Sequence, residues 1–119
     1  MLFRSVPIQE INPNWMGLDI GPATITLFTE VLSNAKTIVW NGPMGIFEIP
    51  DYAVGTNRVA EEVSRSGAYT VVGGGDSVRA LRALGVGDEI GHMSTGGGAS
   101  LKLLEGNGLP GINVLLENP

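Results

Sequence analysis

Two stretches of the chain combine glycine clusters with residues able to handle an anion. Tyr69 to Val78, YTVVGGGDSV, runs an apolar β-branched segment into Gly73, Gly74 and Gly75, followed at once by Asp76 and Ser77. Ile90 to Leu101, IGHMSTGGGASL, repeats the grammar with Gly96, Gly97 and Gly98. Adjacent glycines leave no Cβ on the turn, so a ligand can approach backbone N–H groups that a following helix aims toward it. Neither turn is a Walker A loop, because no G-x-x-x-x-G-K-[ST] occurs. Neither completes a dinucleotide fingerprint, since Val78 and Leu101 stand at the third glycine's place. The chemistry left is anion binding at helix N-termini, with Asp76 a candidate magnesium ligand, because Mg²⁺ takes one or two carboxylates together with phosphate oxygens. The plainer alternative is that Asp76 and Ser77 form an ordinary helix cap and the glycines serve close packing.

Other candidates read as structural. Glu48 follows a loop and is either solvated or, beside a nucleotide, an acceptor for ribose hydroxyls. His92, between Ile90 and Met93, reads as a hydrogen-bonded packing histidine rather than a base. Trp15 and Trp40 are expected to pack, and Arg58, Arg65, Arg79 and Arg82 to lie on solvated helix faces.

The elements that must position the glycine turns follow from periodicity. Pro22 suits a first helical turn, and Leu27, Phe28, Val31, Leu32 and Ala35 then recur as one helical face. Thr37 to Trp40 is a short strand cut by Asn41-Gly42-Pro43. Val59, Ala60 and Val63 mark a second helix stopping at Gly67, and Tyr69 to Val72 the next strand. Val78, Leu81 and Leu84 define a third helix ending at Gly85. Leu101 and Leu104 define a fourth ending at Gly106, and the state of the tail LPGINVLL stays open. Strands alternating with helices predict an α/β fold, a parallel sheet with helices on both faces, whose ligands collect at the carboxyl ends of the strands.

Composition narrows the chemistry further. The chain has 119 residues, a formal charge of −5, 18 glycines, one histidine and no cysteine. That excludes disulfides, cysteine or histidine metal sites and a basic nucleic-acid groove. No apolar run approaches the roughly 20 residues of a membrane span. Met1 to Ser5 back-translates as GTG-CTC-TTC-CGA-TCT, which resembles the end of a sequencing adapter, so residues 1–5 are expected to be a scar and residues 6–119 one unit.

Taken together, Trp15 to Pro22 (WMGLDIGP), Trp40 to Glu48 (WNGPMGIFE), Gly73 to Ser77 (GGGDS), His92 to Ser100 (HMSTGGGAS) and Leu103 to Gly111 (LLEGNGLPG) resemble phosphoglycerate kinase in order and spacing. The resemblance implies a Rossmann-like three-layer αβα sheet, here the C-terminal part of the nucleotide-binding lobe of a two-lobed, cytoplasmic, usually monomeric enzyme of glycolysis. It implies reversible phosphoryl transfer between 1,3-bisphosphoglycerate and ADP, giving 3-phosphoglycerate and Mg-ATP. Carried over by motif, Gly17, Asn41, Pro43 and Ile46 border the nucleotide and Glu48 meets the ribose. Gly73, Gly74, Gly75, Asp76 and Ser77 hold the phosphates, with Asp76 on Mg²⁺, while Gly96, Gly97 and Gly98 donate N–H groups to the transferring phosphoryl. Absent from this sequence are the basic lobe that holds phosphoglycerate and the lysine motif of the earlier half-lobe. Gly91, Lys102 and Asn107 depart from the family's usual Ser, Glu and Lys. A half-sheet is expected to leave apolar edges and helix faces uncovered, and the isolated chain to be marginally stable and inactive. Two rival readings are a free-standing, non-catalytic nucleotide-binding module and a purely structural α/β domain.

Overall fold

The computed structural model describes residues 3–117. After an extended approach segment come α1 (Pro22–Asn34), β1 (Thr37–Asn41), α2 (Val54–Arg65), β2 (Tyr69–Gly73), α3 (Gly75–Leu84), β3 (His92–Ser94), α4 (Gly97–Leu104) and α5 (Pro110–Glu117). Short 3-10 turns interrupt the loops. The tail whose state the sequence leaves open is therefore helical, starting on Pro110, whose fixed φ and missing N–H suit a first turn.

The helices stop for a local reason. Gly85 takes φ +71°, and its N–H bonds back to the Arg82 and Leu81 carbonyls; Gly67 and Gly106 also carry positive φ just beyond α2 and α4. A left-handed residue ends a helix, and glycine takes that shape without strain.

The strands form one parallel sheet in the order β1-β2-β3. Ile38, Trp40 and Val72 face Val59, Ala60 and Val63 of α2 and Val78 and Leu81 of α3, and these eight buried side chains are the core. Strand alternation sends Val39 and Tyr69 to the opposite face, where they are 53% and 61% exposed. There α4 begins over the carboxyl end of the sheet, with Ser100 and Gly97 against Gly73 and Asn41. The second helical layer of the three-layer fold covers that corner and leaves Val39 and Tyr69 open.

Three expectations need correction. On α1 the residues turned inward are Ile25, which is buried, and Leu32, with Ala35 just beyond the helix; Leu27, Phe28 and Val31 are exposed. The helix carries more than one apolar stripe, and α2 covers only one of them. Trp15 is 43% exposed, with the Arg4 guanidinium 4.3 Å above its ring, rather than packed in the core as Trp40 is. His92 pairs in register with Val71 and lies exposed on the sheet's open face. Because β3 is an edge strand here, that position has no neighbour to bury it.

The departures from the family pattern are local. Gly91 lies beneath Tyr69, and a Cβ there would come 3.1 Å from the ring and 3.0 Å from the Thr70 carbonyl. Asn107 donates to Glu105 on the surface. Nothing in the structure explains Lys102. The first described residues also make contact, Phe3 setting its ring edge-on against Tyr52 at 5.5 Å.

One tether was not visible in the sequence. The Asp19 carboxylate accepts the Gly55 N–H at 2.8 Å and its neighbour Ile20 N–H at 2.8 Å, so the approach segment caps α2 from outside the helix. A carboxylate at this end also meets the positive end of the helix dipole. Gly55 is required opposite it, since a Cβ there would clash with both Asp19 Oδ1 and Ile20 Cγ1. Asp19→Ala is expected to weaken the cap by about 1–2 kcal/mol, read by hydrogen exchange as about tenfold faster exchange of the Gly55 amide. Unchanged exchange there would remove Asp19 from the capping role.

Candidate functional site

The parallel register places Asn41, Gly73 and Ser94 side by side as the last residues of the three strands. Each of the three candidate turns therefore leaves the sheet from the same row. Sequence separation is irrelevant to this; pairing Thr37 with Tyr69 and Val71 with His92 is what aligns the strand ends.

The turns then close on one another. The Gly74 N–H donates to the Ser94 carbonyl at 2.8 Å, extending the ladder one step beyond β2. Gly74 takes φ +95° and ψ 135°, a conformation that strains any residue with a Cβ. Asn41 Nδ2 reaches across and donates to the Gly97 carbonyl at 3.4 Å. A Cβ on Gly97 would sit 2.9 Å from Gly74 Cα, and one on Gly73 would sit 2.8 Å from Asn41 Nδ2. By contrast, a Cβ on Gly75 or Gly98 would meet nothing within 4 Å. The clusters thus contain different kinds of glycine. Gly73 and Gly97 let the turns abut, as the packing reading of the sequence holds, Gly74 supplies a positive φ, and Gly75 and Gly98 border open space.

Beside these turns lie the starts of α3 and α4. The first-turn N–H groups of each helix have no intrahelical acceptor, and the aligned peptide dipoles leave both ends partly positive. Two such termini at one row make a surface suited to a polyanion.

The loop after β1 is held against this row by polar groups buried in the helices. Ser77 Oγ accepts the Gly42 N–H at 2.7 Å, and Thr56 Oγ1 accepts the Met44 and Gly45 N–H groups at 3.0 and 3.4 Å. Both residues are fully buried. Trp40 Nε1 donates to the Gly42 carbonyl at 2.6 Å, and the Ile46 N–H donates to the carbonyl of Leu18, the residue after Gly17. Ser77 therefore lies under the site and ties two turns together. Thr56 was missed by sequence reasoning, although its place on the Val59–Val63 stripe of α2 was a signal: a polar residue on an apolar helix face needs a partner.

Asp76 and Glu48 are exposed at the edge of the row, and Arg79 joins them. Its Nη2 lies 2.7 Å from Asp76 Oδ1 and 3.6 Å from Glu48 Oε1, with the guanidinium carbon 5.3 Å from the Phe47 ring centre. Arg79 is as exposed as a solvated helix face requires, at 63%, but its partners are the two candidate site carboxylates. Arg65, in contrast, pairs along its own helix with Glu61.

The row offers Mg²⁺ a single carboxylate. Among the described residues no three His, Cys, Asp or Glu side chains are grouped to hold an ion. Asp76 can supply one carboxylate, and Mg²⁺ completes its shell from phosphate and water oxygens. Two shallow clefts, of about 370 and 400 Å³, lie elsewhere, under the end of α3 and between α4 and α5. The glycine row is an open shelf rather than either of these.

Known proteins share this sequence and fold. The family model for phosphoglycerate kinase matches residues 3–107. The chain is similar to the phosphoglycerate kinase of Rubrobacter xylanophilus, 59% identical over 96% of the chain, and to a chloroplastic phosphoglycerate kinase of Volvox carteri, 53% identical over 96%. It spans 29% of the Rubrobacter protein's length and 25% of the Volvox protein's. Among solved structures, the phosphoglycerate kinase of Coxiella burnetii superposes with a TM-score of 0.75 at 45% identity, covering 82% of this chain and 25% of that one. That of Pyrococcus horikoshii also gives 0.75, at 41% identity, covering 83% and 24%.

Proposed function

The chain belongs to the phosphoglycerate kinase family, and from that premise we propose that its glycine row is the nucleotide half of an active site for phosphoryl transfer between 1,3-bisphosphoglycerate and ADP. The observation that carries this reading is the alignment of Asn41, Gly73 and Ser94, which brings the starts of α3 and α4 to one point. Phosphoryl transfer needs no protein nucleophile; it needs positioning and charge stabilisation.

In this reading the open sides of Gly75 and Gly98 admit phosphate oxygens to the first-turn N–H groups of α3 and α4. Gly73, Gly74 and Gly97 set the distance between those two groups of donors. Gly96 starts the α4 turn, its N–H donating to Ser94 Oγ at 3.1 Å. Asp76 would hold the magnesium of the nucleotide, which when bound neutralises charge on the phosphates. Gly17, Asn41, Pro43 and Ile46 border the base and sugar, and Glu48 accepts from the ribose hydroxyls. Ser77 acts through Gly42, holding the loop that carries Pro43 to Glu48. In the family reading, phosphoglycerate binding falls to parts of the enzyme that this segment does not include. Within the described residues no helix is long and apolar enough to cross a membrane; a cytoplasmic, monomeric enzyme is the family reading.

Calorimetric titration of the full-length enzyme carrying this segment tests the site. Asp76→Asn is expected to weaken Mg-ADP binding about tenfold, the size of a lost charged contact, and to leave magnesium-free ADP within about twofold. Equal Mg-ADP affinity in the two proteins would remove Asp76 from the metal.

A further inference from the structure

We propose that Arg79 is the cation with which magnesium competes for Asp76, so that this side chain sets how much magnesium the nucleotide site requires. The inference rests on the nucleotide reading above and concerns a residue to which that reading assigns no role.

Three contacts fix the guanidinium. The 2.7 Å approach to Asp76 Oδ1 is at the short end for a charge-assisted hydrogen bond. A pair three residues apart on a helix needs nothing more, yet the same Nη2 also lies 3.6 Å from Glu48 of the loop after β1. The Phe47 ring, 5.3 Å from the guanidinium carbon, provides an apolar face on the same side. Arg79 thus sits between the carboxylate proposed for magnesium and the one proposed for ribose, held from two separate stretches of chain.

Two consequences follow from charge alone. An Asp76 carboxylate paired with a guanidinium offers less negative charge to Mg²⁺, and a fixed positive charge beside the ion raises the cost of bringing it in. The second consequence has the opposite sign: the guanidinium, with five N–H donors, can turn to a phosphate and compensate its charge when no metal is present. Arg79 therefore favours the metal-free nucleotide and opposes metal loading. Toward the metal it is a positioning residue, acting through Asp76.

The test is equilibrium ADP binding by the full-length enzyme carrying this segment, measured across a magnesium series for the unmodified protein, Arg79→Ala and Arg79→Lys. Arg79 is exposed and outside the core, so neither substitution removes packing that the fold depends on. In Arg79→Ala the magnesium concentration giving half of the full tightening is expected to fall about threefold, and affinity for ADP without magnesium to weaken about threefold, as an exposed pair of this kind supports. Arg79→Lys should lie between, because lysine keeps the charge and loses the fork. Raising the salt should shrink both differences, and in an Asp76→Asn background the magnesium shift should shrink as well. A solvated helix pair with no role would shift the melting temperature and leave the magnesium midpoint in place; that result, with normal ADP binding, overturns the proposal and leaves the nucleotide reading standing. If magnesium does not tighten ADP binding to the unmodified protein, the nucleotide reading fails first and this inference with it.

Discussion

Gly97→Ala, placed in the full-length enzyme, is expected to reduce phosphoryl transfer by a factor of about 10²–10³, the loss associated with displaced donors at a transferring oxyanion. The new Cβ would stand 2.9 Å from Gly74 Cα, 3.0 Å from Asn41 Nδ2 and 3.1 Å from Gly74 N. Two of those three neighbours are backbone atoms held in the β2–β3 ladder by the Gly74 to Ser94 bond, so they cannot rotate away. The turns must separate, and the starts of α3 and α4 separate with them. Gly75→Ala and Gly98→Ala supply the control, because their Cβ atoms meet no protein atom within 4 Å. Stability should be nearly unchanged in both, so any fall in kcat or rise in KM there reports a ligand in the open space. Steady-state kinetics with a melting curve for each variant separates the effects. Full activity in Gly75→Ala and Gly98→Ala would mean that their open sides do not face the phosphates.

The second large effect concerns the 119-residue chain on its own, which is expected to associate, to unfold over a broad range and to show no turnover. Its core occupies one face of the sheet. Leu27 and Val31 on α1, Leu103 and Leu104 on α4, and Leu115 and Leu116 on α5 are each 62–74% exposed. Such clustered apolar exposure is what interfaces and aggregating surfaces share. Both β1 and β3 present unpaired edges among the described residues, β1 with Val39 open beside it, and an uncovered strand edge templates pairing with another chain. The radius of gyration, 16.8 Å, exceeds the about 13.5 Å of a compact domain of this length. Sedimentation velocity and differential scanning calorimetry test the point together. A monomer with one sharp transition would show that the exposed faces need no partner. Measurable turnover by this chain alone would show that the phosphoglycerate site is here after all.

What was legible in the sequence was whatever depends on near neighbours along the chain. Gly67, Gly85 and Gly106 end helices because a left-handed residue breaks the helical bond ladder within one turn. Pro22 begins a helix because its fixed φ and missing N–H suit the first turn and no later one. The alternation in TIVW and YTVV reads as strand, and helices between strands imply parallel pairing. The order of the glycine turns was likewise visible, and with it the resemblance to a kinase family.

Properties that depend on residues distant in the chain waited for the fold. Periodicity marked Leu27, Phe28 and Val31 as apolar but could not say which stripe of α1 meets α2. The letters GGG are the same whether a missing Cβ makes room for a neighbouring turn, as at Gly73 and Gly97, permits a positive φ, as at Gly74, or faces open space, as at Gly75 and Gly98; only the fold separates them. Asp19, Thr56 and Ser77 are ordinary polar residues until the sheet folds and gives each a backbone N–H from another segment. Arg79 looked like one more solvated charge until the loop after β1 carried Phe47 and Glu48 to its side. Local conformation is written in adjacent residues because torsional sterics and hydrogen-bond periodicity act over a few residues, whereas charge, contact and exclusion act through space, and only the packed chain says which groups share it.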